Sequence, residues 1–218
     1  MPFIVFEGLD GSGKSSLMSA LEKKLLSRDL KVLRTREPGG TTLGDEIRSL
    51  ILRTDGEAPT KRTELLLYEA SRAQHVDQVI RPAVQRQEWV LCDRFTASSI
   101  AFQAGGRSIS EEWVEKLNEF ATDNLVPDVV ILLDLSVDES RRRRNQRLQT
   151  GGPKEDRIES EADSFHEKVR QSFLKQSQKA VSAGVGGSHW IVLDASLSPE
   201  ALLDKLLTDL KGLKWLGL

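Results

Sequence analysis

Apolar residues along this chain follow two rhythms. Four short runs are almost continuously apolar: Phe3-Ile4-Val5-Phe6, Trp89-Val90-Leu91-Cys92, Val129-Val130-Ile131-Leu132-Leu133 and Trp190-Ile191-Val192-Leu193. A fifth, more mixed run covers Lys31-Val32-Leu33-Arg34-Thr35. Between them apolar residues recur at helical spacing: Leu17, Met18, Leu21 and Leu25, then Ile47, Leu50 and Ile51 in a short helix. A long stretch from about 63 to 87 carries Leu66, Ala70, Ala73, Val76 and Ile80, with a kink or break expected at Pro82. Further helices are expected over 111–124, 163–183 and 199–210. Continuous apolar strands alternating with amphipathic helices predict a five-stranded parallel sheet covered on both faces, a three-layer α/β sandwich.

No internal repeat or linker composition divides the chain, so one domain over residues 1–218 is expected. The glycine-containing stretch 149–154 reads as a mobile loop rather than a linker. Composition changes this picture only by exclusion. With 31 Lys+Arg against 33 Asp+Glu, the chain lacks the basic excess that nucleic-acid binding draws on. No run approaches the ~18 apolar residues of a membrane span, and the start MPFIVFEGLD lacks the features of a leader. The single cysteine, Cys92, rules out an internal disulfide and fits a reducing, cytoplasmic setting. It reads as a small buried hydrophobe.

The chemistry begins where the first apolar run ends. Gly8-Leu9-Asp10-Gly11-Ser12-Gly13-Lys14-Ser15 satisfies G-x-x-x-x-G-K-[ST] between a predicted strand and a predicted helix. Glycines let backbone N–H groups approach phosphate oxygens, and the helix N-terminus favours negative charge. Lys14 would meet the β- and γ-phosphates of a nucleotide, and Ser15 would ligate Mg²⁺. No Asn-Lys-x-Asp stretch reads guanine. The strand end Cys92-Asp93-Arg94 suits a carboxylate near the metal, Asp93, beside an arginine for an acceptor phosphate. These features point to a small-molecule kinase of the P-loop NTPase fold.

Together with Arg36-Glu37-Pro38-Gly39-Gly40, Asp93-Arg94-Phe95, Ala101-Phe102-Gln103, Asp156-Arg157-Ile158-Glu159 and Phe165-His166-Glu167-Lys168-Val169, the chain resembles the thymidylate kinase family over nearly its whole length. The resemblance implies ATP:dTMP phosphotransfer with Mg²⁺, a homodimer and a mobile lid at about 141–157. It implies that Asp10 meets the sugar 3′-hydroxyl and supports the metal, that Arg94 holds the acceptor phosphate, and that Arg36 and Arg48 flank it. Tyr68 would stack on the thymine, Arg72 would donate to its O4, and Ser99 and Gln103 would complete the base contacts. Phe102 would crowd the sugar 2′ position. Two positions depart from the common pattern: Tyr68 stands where Phe is usual, and Phe95 where Tyr often follows Asp-Arg. Gly11 replaces a P-loop arginine found in some members, so the lid arginines Arg147 and Arg157, with Arg144 as a further candidate, are expected to reach the phosphates. The adenine is expected near the lid helix and Asp194-Ala195-Ser196.

Plainer readings stand beside these. Arg141 and Arg142 read as a solvated helix face. His75, His166 and His189 carry no assigned role, and no His/Cys/carboxylate spacing suggests zinc. Trp113 and Trp215 read as core or interface residues. Another nucleoside monophosphate kinase, or a nucleotide-binding module without catalysis, remains the competing function.

Overall fold

The computed structural model describes residues 2–183 and 187–213, so Trp215 lies outside the described residues. Strands β1 (Phe3–Glu7), β2 (Val32–Arg36), β3 (Trp89–Asp93), β4 (Val129–Asp134) and β5 (His189–Asp194) form one parallel sheet in the order β2-β3-β1-β4-β5. This is the five-stranded core of a P-loop NTPase. The three inner strands are buried on both faces almost throughout, whereas the edge strands β2 and β5 alternate in exposure. That contrast explains why β2 reads as more mixed in sequence, whereas the apolar run of β5 gave no sign of its edge position.

The two-residue period of a strand sorts its side chains between the layers. Ile4 and Phe6 pack with Leu91, Ile131 and Leu193 against helices α1 (Lys14–Leu26) and α9 (Pro199–Gly212). Phe3 and Val5 turn to the opposite face, where Val76, Ile80, Ala83 and Phe95 cover them. Leu132 joins Phe102, Phe165, Val169 and Phe173 on that same side of the sheet but in a separate cluster. The covering helices there are α3 (Lys61–His75), α4 (Arg81–Gln85), α5 (Thr96–Ser99), α6 (Glu111–Thr122) and α8 (Asp163–Ala183). Helices α2 (Thr42–Leu52) and α7 (Val137–Gln149) flank the end of the sheet where the strands finish. Among the described residues, no helix is long and apolar enough to cross a membrane.

Two details depart from the periodicity. Between α3 and α4 the helix widens into a π-helical turn at Val76–Ile80, just before Pro82, whose missing N–H and bulky ring an α-helical interior cannot accept. A second π-helical stretch, Ile100–Gly106, follows α5 directly and carries Phe102 and Gln103. More consequential is the buried side of α3. It carries Glu64, Leu65, Glu69, Ser71, Arg72 and His75, while Leu66 is 55% exposed and Ala70 faces outward. The expected stripe through Leu66, Ala70 and Ala73 is therefore displaced, because the charged residues of α3 are paired and can lie inside. On α2, likewise, Ile47 and Ile51 are buried and Leu50 is exposed.

Leu21 is fully buried between the sheet and α9. Leu21→Ala is expected to cost about 2–5 kcal/mol, read as a lower urea midpoint with an unchanged m-value.

Candidate active site at the strand ends

The register of the sheet brings the chemistry to one edge. Arg36 lies level with Asp93, and Asp93 with Phe6, one residue before Glu7. The loop after β1 then wraps tightly. Gly8 has φ +131°, and a Cβ there would run into the Leu133 carbonyl. Gly13, at φ +93°, forms the left-handed start of α1. Lys14 folds back over this loop, its Nζ donating to the Gly8 and Leu9 carbonyls at 3.0 Å each and lying 3.8 Å from Asp10. Burial, followed by repulsion from Arg94, pulls the Lys14 pKa below its usual value.

Beside the loop lies an open cleft lined by Asp10, Gly11, Gly13, Lys14, Ser15, Arg36, Glu37, Arg48, Asp93, Arg94 and Arg147. Asp93 Oδ2 is 3.5 Å from Ser15 Oγ, and its Oδ1 is buried without a partner. Ser12 Oγ and Arg147 Nε, on the loop and on α7, are orphaned in the same way. Buried polar atoms are rarely left unmatched unless a ligand or water satisfies them. Asp93 and Arg147 line the cleft where a cation and an anion would sit, whereas a fourth such atom, Trp89 Nε1, lies away from it at the start of β3.

A second cavity adjoins the first and shares Asp10, Glu37, Arg48 and Arg94 with it. Its walls are Pro38, Leu52, Tyr68, Ser98, Ser99, Phe102, Gln103, Asp156 and Ile158. Arg94 stands between the two. It has φ +72°, donates from Nη2 to Asp10 Oδ1 at 2.7 Å, and stacks its guanidinium 5.0 Å from the Phe102 ring centre. Burial alone would raise the Asp10 pKa, but Arg94 and Lys14 together hold it well below the usual carboxylate range.

Behind this front row sits a network of acids that drew no role from sequence. Glu7, fully buried, accepts from the Phe95 and Ser98 backbone N–H groups and from Ser98 Oγ, which fixes the turn carrying Arg94. Its burial pushes its pKa up to about 7 against the pull of Arg94. Glu37 joins Arg72 Nε at 2.8 Å to His75 Nδ1 at 3.0 Å, and His75 Nε2 meets Thr35 Oγ1 at 2.6 Å. Glu64 accepts from Gln103, Arg107 and Arg157. Glu7 and Glu37 close β1 and follow β2, and an acid ending an apolar strand is a signal the sequence did offer. Glu64 and Glu69 sit on a helix whose charged residues look solvated until their partners are known.

Most expected site residues converge on the two cavities: the glycine-rich loop, Arg36, Arg48, Tyr68, Asp93, Arg94, Ser99, Phe102, Gln103 and Arg147. Arg72 and Arg157 differ. Arg72 is 1% exposed and lies behind the cavity wall, bonded to Glu37, Glu69, Ser99, Asn118 and the Phe95 carbonyl. These bonds leave one Nη2 proton. Arg157 donates to the Ile51 carbonyl and to Glu64, away from the phosphate cleft, because its segment lies against the end of α2. The arginine run on α7 is split by helical geometry. Arg141 and Arg142 face solvent on salt bridges to Asp138, Asp163 and Glu139. Arg143 and Arg144 face the glycine-rich loop; Arg143 bonds the Gly11 and Ala195 carbonyls, and Arg144 is paired with Glu155.

The thymidylate kinase family profile matches residues 6–206. The chain belongs to the thymidylate kinase family. It is 67% identical over 210 residues to the thymidylate kinase of Bdellovibrio bacteriovorus, covering 96% of this chain and 95% of that protein. It is 49% identical over 172 residues to that of Thermosipho melanesiensis, covering 79% of this chain and 82% of the relative. Identity to the Prochlorococcus marinus thymidylate kinase is 42% over 217 residues, covering 97% and 96% of the two chains.

The raised pKa of Glu7 has a stability consequence. Its folded value of about 7 lies above its unfolded value of 4.5, so the native state holds the extra proton between those limits. Stability from this group is full below pH 4.5 and falls as pH rises to 7, on the order of 3 kcal/mol. Glu7→Gln should flatten that part of the urea-midpoint profile.

Proposed function

We infer that this chain transfers the γ-phosphoryl group of ATP to dTMP, giving ADP and the dTDP that feeds dTTP synthesis. The observation that carries the reading is the pairing of a P-loop cleft with an adjoining cavity lined by polar and aromatic side chains, joined through Arg94 and Asp10. In the reaction an acceptor phosphate oxygen forms a bond to Pγ as the bond from Pγ to the β–γ bridging oxygen breaks, and ADP leaves with that electron pair. The acceptor is already ionised near neutral pH and needs no strong base, so positioning and charge neutralisation do most of the work. Lys14 and the loop N–H groups hold the donor phosphates, and Arg147 faces them from α7. Arg94, flanked by Arg36 and Arg48, holds the acceptor phosphate. Asp10 orients the sugar through its 3′-hydroxyl, and Phe102 packs against the sugar. Tyr68, Ser99 and Gln103 enclose the base, with Arg72 supporting that wall from behind.

The Ser15 hydroxyl and the half-unpartnered Asp93 carboxylate are hard oxygen donors of the type Mg²⁺ prefers. When bound there, Mg²⁺ would supply charge neutralisation at the bridging phosphate oxygens. The adenine is assigned to the side where Arg143 bridges Gly11 and Ala195. The protein acts as a single cytoplasmic domain whose lid, about 141–157, comprises the second half of α7 and the loop beyond it. A homodimer is supported by exposed apolar residues on three helices that pack side by side: Leu43 and Leu50 on α2, Leu66 on α3, and Trp113 and Phe120 on α6.

ADP release should depend on a monophosphate, with dTMP preferred over dCMP, dGMP, AMP and UMP. Preference for another acceptor would retain a kinase of different specificity, and binding of ATP without turnover would mark a non-catalytic module. Arg94→Ala should lower kcat/KM for dTMP about 10³-fold with the ATP KM changed little. Arg157→Ala separates its two roles. As a tie between lid and α3 it should raise the dTMP KM about tenfold, one lost charged hydrogen bond. A fall in kcat of about 10³ with KM unchanged would return Arg157 to the phosphates.

A further inference from the structure

The wall of the acceptor cavity contains a hydroxyl whose proton direction is predetermined. Ser99 Oγ, in a residue 1% exposed, lines the cavity. It donates to Glu69 Oε1 at 2.8 Å and accepts from Arg72 Nη1 at 2.9 Å. Both Glu69 oxygens also lie 2.7 and 2.8 Å from Arg72 Nη1, whose two protons are shared among Glu69, Ser99 and Asn118. A guanidinium has donors only, so Glu69 meets Arg72 as an acceptor at both oxygens. A serine hydroxyl has one proton and two lone pairs. Here the proton is committed to Glu69 and one lone pair to Arg72, which leaves the second lone pair as the only hydrogen-bonding capacity Ser99 can offer a ligand. Asn118 closes the alternative. Its Oδ1 accepts from Arg72 while its Nδ2 donates to the Thr96 carbonyl, so its amide orientation is set as well. Glu64 acts in the same sense on the next wall residue, taking an amide proton of Gln103 at 3.0 Å.

We propose that Glu69, a residue that does not line the cavity, sets the base selectivity of the acceptor site by making Ser99 an obligate acceptor. The inference rests on the reading of this cavity as the dTMP base site. Thymine and uracil carry a hydrogen on N3 and satisfy the free lone pair of Ser99. Cytosine presents a lone pair at N3, and two acceptors then face each other. A site built to meet one hydrogen-bonding pattern rejects the analogue with the opposite pattern more strongly than shape alone does. Glu69 is thus a positioning residue that acts through Ser99.

The test compares kcat/KM for dTMP, dUMP and dCMP in the full-length protein. Glu69→Gln keeps the shape but turns one oxygen into a donor, so Ser99 is no longer obliged to donate. The dTMP:dCMP ratio should fall about tenfold with the ATP KM within twofold of the parent. Ser99→Ala alone should lower the same ratio, and adding Glu69→Gln to it should change the ratio no further. An unchanged ratio in folded Glu69→Gln, with both acceptors slowed equally, would reduce Glu69 to a structural support and overturn the proposal. An equal fall from Glu69→Gln in the Ser99→Ala background would overturn it too. Should Glu69→Gln fail to fold, an unchanged ratio in Ser99→Ala alone has the same force. A parent enzyme that prefers neither dTMP nor dUMP over dCMP would instead overturn the base-site reading itself.

Discussion

The arrangement depends on one desolvated charge. Arg72 is almost fully buried, and a guanidinium there is tolerable only because Glu37 and Glu69 surround it. Burial would lower its pKa, but the two carboxylates outweigh that and raise it, so the charge is permanent. Each partner belongs to a different piece of the chain: Glu37 to the loop after β2, Glu69 to α3 itself, Ser99 to α5 and Asn118 to α6. Removing one partner of such a cluster typically costs about 3–5 kcal/mol because the remaining charge is stranded. The cluster therefore fixes the relative positions of four elements that together build the acceptor cavity.

The same logic of matched charge extends to the front of the site. Lys14, Arg48, Arg94 and Arg147 converge on one cleft, where they would repel one another without compensation. Asp10 and Glu7 stand against Arg94, while Glu159 takes both Nη groups of Arg147. These acids keep the cations oriented before any phosphate arrives. Such preorganisation is the main resource for a reaction in which the protein supplies little covalent chemistry. Arg143 extends the connection to the nucleotide side by bonding the loop at Gly11 and the turn after β5 at Ala195.

How much of this was readable from the sequence followed from how local each signal is. The glycine-rich loop and the apolar strands are contiguous, so their elements and the parallel sheet are legible without structure. Asp93 and Arg94 were legible because they end a strand, where ligands of such folds gather, and Arg36 through the family resemblance alone. The side of α3 that turns inward was not. Its buried face is charged, and hydrophobic periodicity selects Leu66 when the structure buries Leu65, Glu69 and Arg72. Arg72 was recognised as a site residue, but its pairing with Glu37, 35 positions earlier, and Asn118, 46 positions later, is a tertiary fact. The placement of Arg157 on Glu64, 93 positions away, is of the same kind.

The strand order also governs how the molecule comes into being. β1, the first strand made, has no sequential neighbour in the sheet: its partners are β3 and β4. On the ribosome the glycine-rich loop must therefore wait until more than half the chain has emerged before its supporting strand is paired on both edges. Pairings of such long sequence separation fold slowly and leave apolar strand edges open in the interval. The centre of the finished sheet is thus its most exposed part during synthesis, and that interval is when the chain is most open to capture by chaperones or by other nascent chains.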